Sequence, residues 1–125
     1  MTHIVHKALP EKRGYYSKVE QSRTIVQTGE ITMWDQVIPA GGYITPHLHH
    51  CDETLTFLSG EVEVNLAAEK IVVRADETVL IPAGVVHSVM NNRTEPARLL
   101  AVLVTGEPKV IYPDGPPDPV IWGEG

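Results

Sequence analysis

The chain has 125 residues and a mass of 13.7 kDa, with 42% hydrophobic and 21% charged residues, as in one globular domain large enough to bury its own core. A formal net charge of −6, with no basic cluster larger than Lys12-Arg13, argues against a nucleic-acid surface, and no apolar run reaches the roughly 18 residues of a membrane span. The single cysteine, Cys51, cannot close an intrachain disulfide, and the amino terminus lacks the apolar core of a secretory signal, so a cytoplasmic protein is expected.

Ten prolines and ten glycines set among short β-branched runs predict frequent turns and an all-β architecture. The core barrel is expected over residues 24–104, between an N-terminal arm (1–23) and a Pro/Gly-rich tail (105–125). Residues 1–22 show no clean period. His3 and His6 have no ligand-register neighbours and read as exposed, while Tyr15 and Tyr16 fit either a short helix or an arm on a partner.

Thr24–Gln27 reads as a strand, Gly29-Glu30 as a turn and Ile31–Ile38 as a longer strand. Neither face of the latter is cleanly polar, which predicts burial on both sides, with Trp34 in core or interface rather than in a pocket wall. Pro39-Ala40-Gly41-Gly42 re-aims the chain. In Tyr43–His49 a period of two puts Tyr43, Thr45, His47 and His49 on one face. Glu53, Leu55 and Phe57 share the next inward face, and Glu61–Leu66 alternates as a half-exposed strand returning through Ile71–Val73. Beyond Thr78–Ile81 and the tight Pro82-Ala83-Gly84 turn, Val85–Met90 aligns His87, Val89 and Asn91. Ala97–Val104 is almost wholly apolar and predicts a strand covered on both faces. The tail triplets Val110-Ile111-Tyr112 and Val120-Ile121-Trp122 predict docking on the barrel or on a second subunit.

Histidines two apart on a strand point the same way, so His47 and His49 form a clamp. With His87 and Glu53 they make a plausible ligand set for one divalent ion (Fe, Mn, Co, Ni, Cu or Zn), and four ligands leave positions open for water, substrate or dioxygen. If these groups merely filled a core, three buried imidazoles and a carboxylate would be costly without a cation or a dense hydrogen-bond network. Tyr43, Thr45, Leu55, Phe57, Ile81 and Val89 are expected to line an apolar cup for a small ligand with two oxygen donors. Glu53 and Tyr43 are the candidate catalytic groups, although a barrel-wall tyrosine bonded to a backbone carbonyl is the plainer role for Tyr43. His50 falls off the clamp register, and Cys51 has no histidine placed to activate it as a nucleophile.

Gly41, His47, His49, Glu53 and Gly60 follow the pattern G-x5-H-x-H-x3-E-x6-G, and Pro82, Gly84, His87 and Asn91 follow a second, with Asp76 standing where glycine is usual. Together they closely resemble the paired motifs of the cupin superfamily. Aspartate tolerates a left-handed turn, so the departure at position 76 leaves the turn expected. The resemblance implies a jelly-roll barrel forming a single small cupin domain, a homodimer, and His47, His49, Glu53 and His87 as ligands of one metal ion. It also implies a small-molecule substrate, the leading expectation being an oxygenase acting on a chelating enol, diketone or aromatic compound. A non-redox lyase, isomerase or cyclase and a non-catalytic ligand-binding cupin are the alternatives.

Overall fold

The computed structural model describes residues 17–114 and 120–121, and the expectations for His3, His6, Tyr15, Tyr16 and Trp122 lie outside them. Eleven strands follow one another without a helix among the described residues: β1 (Gln21–Gln27), β2 (Thr32–Ile38), β3 (Tyr43–His47), β4 (Glu53–Ser59), β5 (Glu61–Leu66), β6 (Glu69–Arg74), β7 (Thr78–Ile81), β8 (His87–Met90), β9 (Ala97–Leu103), β10 (Lys109–Val110) and β11 (Val120–Ile121). One sheet runs β1-β2-β9-β4-β7 and the other β3-β8-β5-β6, with β10-β11 as a separate pair. All pairings are antiparallel, and side chains from both sheets fill one core, giving the expected jelly-roll barrel. No helix of the described residues is long and apolar enough to cross a membrane.

Alternation decides which residues enter the core. Val62 and Val64 of β5, Leu55 and Phe57 of β4, and Leu99, Ala101 and Leu103 of β9 are all buried, while the residues between them face outward. The outer faces of β2 and β9 are only partly covered: Met33, Val37, Leu100 and Val102 are half-buried, and Arg98 is exposed. Two-sided burial, expected from the lack of polar residues, therefore overstates their coverage. Their apolar outer faces arise because both strands lie inside the five-stranded sheet, where β-branched and large residues suit a pleated surface. Asp35 is the exception on that outer face. It is buried, and the Arg98 guanidinium donates from Nε at 3.0 Å and from Nη2 at 2.9 Å, joined by Arg23 Nη2 at 3.1 Å. These bonds, Arg98 first, hold its carboxyl below the usual aspartate range despite burial.

The motif residues outside the histidines turn the chain. Gly60 has φ +85° at the β4–β5 turn, and a Cβ there would stand 2.7 Å from the Ala97 Cα, so no side chain fits. Asp76 adopts φ +69°, the left-handed conformation that lets it replace the usual glycine. Asn91 is fully buried and ties the end of β8 to the end of β2: its Nδ2 donates to the Ile38 carbonyl at 3.0 Å and the Glu95 carbonyl at 2.9 Å. Its Oδ1 accepts the Arg93 backbone N–H at 3.0 Å. In the described part of the tail, Val110 and Tyr112 are buried and Ile111 bridges Leu48.

Candidate metal centre

His47 ends β3 and pairs directly with His87, which begins β8. Glu53 opens β4 on the facing sheet, and His49 lies just past β3, where the Leu48–Ile111 bridge pins the chain. All four side chains are buried, and one ligand atom from each lies within 4.8 Å of the others. Ring centroids are 4.2 Å apart for His47 and His87, 4.9 Å for His47 and His49, and 5.5 Å for His49 and His87.

Backbone carbonyls set the tautomers. A carbonyl can only accept, so Nδ1–H of His47 donates to Thr45 O at 2.7 Å, that of His49 to Lys109 O at 2.6 Å, and that of His87 to Val85 O at 3.0 Å. Each Nε2 is thereby left as a lone-pair donor in the neutral ring. Burial, reinforced by His87 and His49, holds His47 well below the usual histidine pKa, and burial lowers His49 against the opposing pull of Glu53. Glu53 Oε1 nevertheless sits 3.1 Å from His87 Nε2 and 3.5 Å from His49 Nε2. These are ion-pair distances only with protonated rings, and the depressed His49 pKa favours the neutral form. Accordingly His49 Nε2 and Glu53 Oε1 are buried with no hydrogen-bond partner. Lone pairs converging without a proton between them are the arrangement a cation satisfies. Three imidazoles and one carboxylate suit a first-row divalent ion.

The cavity beside the cluster is lined by Trp34, Gln36, Ile44, Leu55 and Val89 together with His47, Glu53 and His87, and its free volume for the centre of a water molecule is about 10 Å³. That is room for about one water. Leu55 and Val89 stand where the alternation places them, whereas Phe57 and Ile81 are packed in the core and do not line it.

Tyr43 and Thr45 do not line it either: Tyr43 is 38% exposed, paired on the outer surface with Met90. The cause is a bulge. Ile44 pairs with Val89 and His47 with His87, so one extra residue on β3 reverses the parity between them and turns Ile44 inward. Pro46 has no N–H to contribute, and the Thr45 N–H turns to Ser17 Oγ at 3.1 Å. Pro46 inside the alternating run was the signal for this bulge. Trp34, 3% exposed, belongs to the core and to the cavity wall at once, contrary to expectation. Gln36 and Ile44 were missed, the first because β2 shows no polar face and the second because of the bulge. His50 is exposed, and the Cys51 thiol is pushed up by burial and by Glu53, as expected for an unactivated cysteine.

Residues 34–103 match the model of the cupin domain family. Comparison with curated proteins gives no significant match. Among solved structures, the TT1209 protein of Thermus thermophilus is similar at 26% identity and a TM-score of 0.66, over 70% of this chain and 84% of that one. A conserved Streptococcus pyogenes protein of unknown function is similar at 30% identity and a TM-score of 0.61, over 67% and 72%. A recombinant oxalate oxidase in complex with glycolate is similar at 25% identity and a TM-score of 0.62, over 66% of this chain but only 45% of the oxidase.

Proposed function

Because the chain belongs to the cupin family, we propose that it is a mononuclear divalent-metal enzyme acting on a small oxygen-chelating substrate, with oxygenase or oxidase chemistry as its reaction. The observation that carries this is the pair of buried, partnerless atoms, His49 Nε2 and Glu53 Oε1, in a cluster whose imidazoles are all fixed with Nε2 inward. His47, His49 and His87 would hold the ion through Nε2, and Glu53 through its carboxylate, offsetting one positive charge. When bound, such an ion would supply Lewis acidity toward oxygen donors and, as iron or manganese, redox chemistry.

The protein's own contribution is positional. The carbonyls of Thr45, Lys109 and Val85 hold the rings in orientation, and Trp34, Ile44, Leu55 and Val89 exclude bulk water from the space beside them. That space admits about one water molecule, which counts against an aromatic compound. The similarity to an oxalate oxidase in complex with glycolate supports a short hydroxy acid or dicarboxylate. A non-redox isomerase or lyase is less well supported, since Tyr43, one of its two candidate proton carriers, the other being a metal-bound hydroxide, lies on the outer surface. The expected homodimer is part of the proposal, to be checked by analytical ultracentrifugation.

The test is elemental analysis of protein purified without chelators, followed by dioxygen uptake with iron- and manganese-loaded protein on glycolate, oxalate and small diketones. Near-stoichiometric metal with uptake on one of these acids is expected. Flat uptake with every substrate in fully loaded protein sinks the redox assignment, and protein that takes up no first-row metal sinks the metal centre.

A further inference from the structure

The space inside the barrel holds about one water molecule, and all four ligand side chains are buried. An organic substrate reaches the candidate metal centre only if part of its cover moves. Three of the ligands belong to strands of the two sheets: His47 and His87 face each other in the β3–β8 pairing, and Glu53 is paired on both sides, with Ile81 and Leu103. The cover beside His47 and His49 is of another kind, because it is the tail, residues 107–112.

The tail runs antiparallel to the stretch that carries the first two histidines. Leu48 and Ile111 exchange both backbone bonds, Leu48 N–H to Ile111 O at 2.9 Å and Ile111 N–H to Leu48 O at 3.0 Å. Lys109 O accepts from His49 Nδ1 at 2.6 Å, and the Tyr112 ring centroid stands 6.1 Å from that of His47. The root of the tail is pinned separately: Thr32 Oγ1 donates to Thr105 O at 2.8 Å, and Gln27 Nε2 donates to Gly106 O at 2.9 Å. Gly106 packs so closely on Thr28 and Gly29 that no Cβ fits there. Beyond this root, β10 pairs with β11 and belongs to neither barrel sheet. Between root and histidines lies a cleft of about 260 Å³, lined by His49, His50 and Cys51 from one segment and by Val104, Glu107 and Lys109 from the other.

We propose that residues 107–112 form a strap over the metal centre, hinged beside the pinned Gly106, that lifts to admit a small organic acid through this cleft. The backbone bonds that tie the strap to the barrel are the two to Leu48, among the described residues, whereas β4 is paired along its length with both β7 and β9. Segments with few backbone bonds open at lower free energy than the sheets they cover. Closed, the strap buries Val110 and Tyr112 and keeps solvent from the histidines; open, it joins the cleft to His49. The inference rests on the metal reading, since the acid it admits is one that seeks the ion.

The experiment locks the strap reversibly. Residues that exchange both backbone bonds across an antiparallel pair have Cα atoms about 5.5 Å apart, within disulfide range. Leu48→Cys with Ile111→Cys, in a Cys51→Ser chain to prevent mispairing, is loaded with cobalt while reduced and then oxidised with diamide, the bond being confirmed by mass spectrometry. Two rates are compared between the oxidised and reduced forms: removal of cobalt by excess pyridine-2,6-dicarboxylate, and the change in the cobalt visible spectrum on mixing with glycolate. Both are expected to be at least about tenfold slower in the oxidised form and to recover on reduction. Ile111→Pro removes the N–H that bonds Leu48 O and is expected to speed cobalt removal about fivefold; it carries the comparison if the disulfide fails to form. Equal cobalt-removal rates in the oxidised and reduced forms overturn the strap, as does an Ile111→Pro rate equal to the native one. Silence toward glycolate, with cobalt removal still gated by the disulfide, supports the strap and overturns the short-acid substrate instead. A protein that takes up no cobalt overturns the metal reading itself, and this inference with it.

Discussion

Replacing Glu53 by glutamine is expected to stabilise the metal-free protein while weakening its hold on metal. In the native chain Glu53 Oε1 faces His87 Nε2 at 3.1 Å and His49 Nε2 at 3.5 Å, and all three Nδ1 protons point away toward carbonyls. A glutamine side chain at 53 would bring an N–H donor to one of these lone pairs and remove a buried charge. Relieving one orphaned buried acceptor is worth about 1–3 kcal/mol. At roughly 4 °C per kcal/mol for a chain of this size, the chelated variant should melt about 4–12 °C above the chelated native protein. Metal reverses the order of benefit. Loss of the charged ligand should weaken affinity by about 100-fold, which at fixed excess metal removes about 2.7 kcal/mol of ligand-linked stabilisation. The assay is thermal unfolding of both proteins, each with chelator and with excess manganese or cobalt. A chelated variant that melts below the chelated native protein would refute the reasoning, because it would mean that Glu53 pairs with a protonated imidazole. An unchanged metal-induced shift would refute the role of Glu53 as a ligand.

Three further expectations follow from other parts of the barrel. Asp35→Ala should destabilise by about 1–3 kcal/mol in urea unfolding, a modest cost because Arg23 and Arg98 remain half-exposed and can rehydrate. The Asp35 pKa is depressed on folding, so its contribution is fully present above the unfolded value of about 3.9 and is lost as pH falls through the lower folded value. The native and Asp35→Ala stability curves should therefore converge only below about pH 4. Gly60→Ala combines a left-handed φ with a 2.7 Å approach to Ala97, and should cost about 2–4 kcal/mol by denaturant titration. Tyr43→Phe should leave metal content and ligand affinity unchanged, since its side chain is outside the cavity; a clear loss of either would contradict the observed β3 register.

Much of this was legible in the chain itself. Period-two alternation at Glu53-Leu55-Phe57 and Val62-Val64 assigns inward faces wherever one side of a strand is polar, because a pleat sends neighbours to opposite sides. The spacing of His47, His49, Glu53 and His87 identified residues that the barrel does bring together, as local strand geometry fixes the first pair and the Pro82-Ala83-Gly84 turn re-aims the last. Asp76 could be read as a left-handed turn because its side chain tolerates that conformation.

Tertiary structure decided what depends on pairing. Whether Tyr43 or Ile44 faces inward turns on one extra residue opposite β8, and parity counted along a single strand carries no information about a partner's register. Gln36 enters the cavity because β2 pairs with β9, far along the chain, and that pairing sets which level of the barrel each side chain occupies. The three histidine tautomers depend likewise on carbonyls, one of them from Lys109 in the tail, that folding brings beside the rings. Sequence set the donors because their chemistry is local; the fold alone set their protons, their neighbours and the size of the space they share.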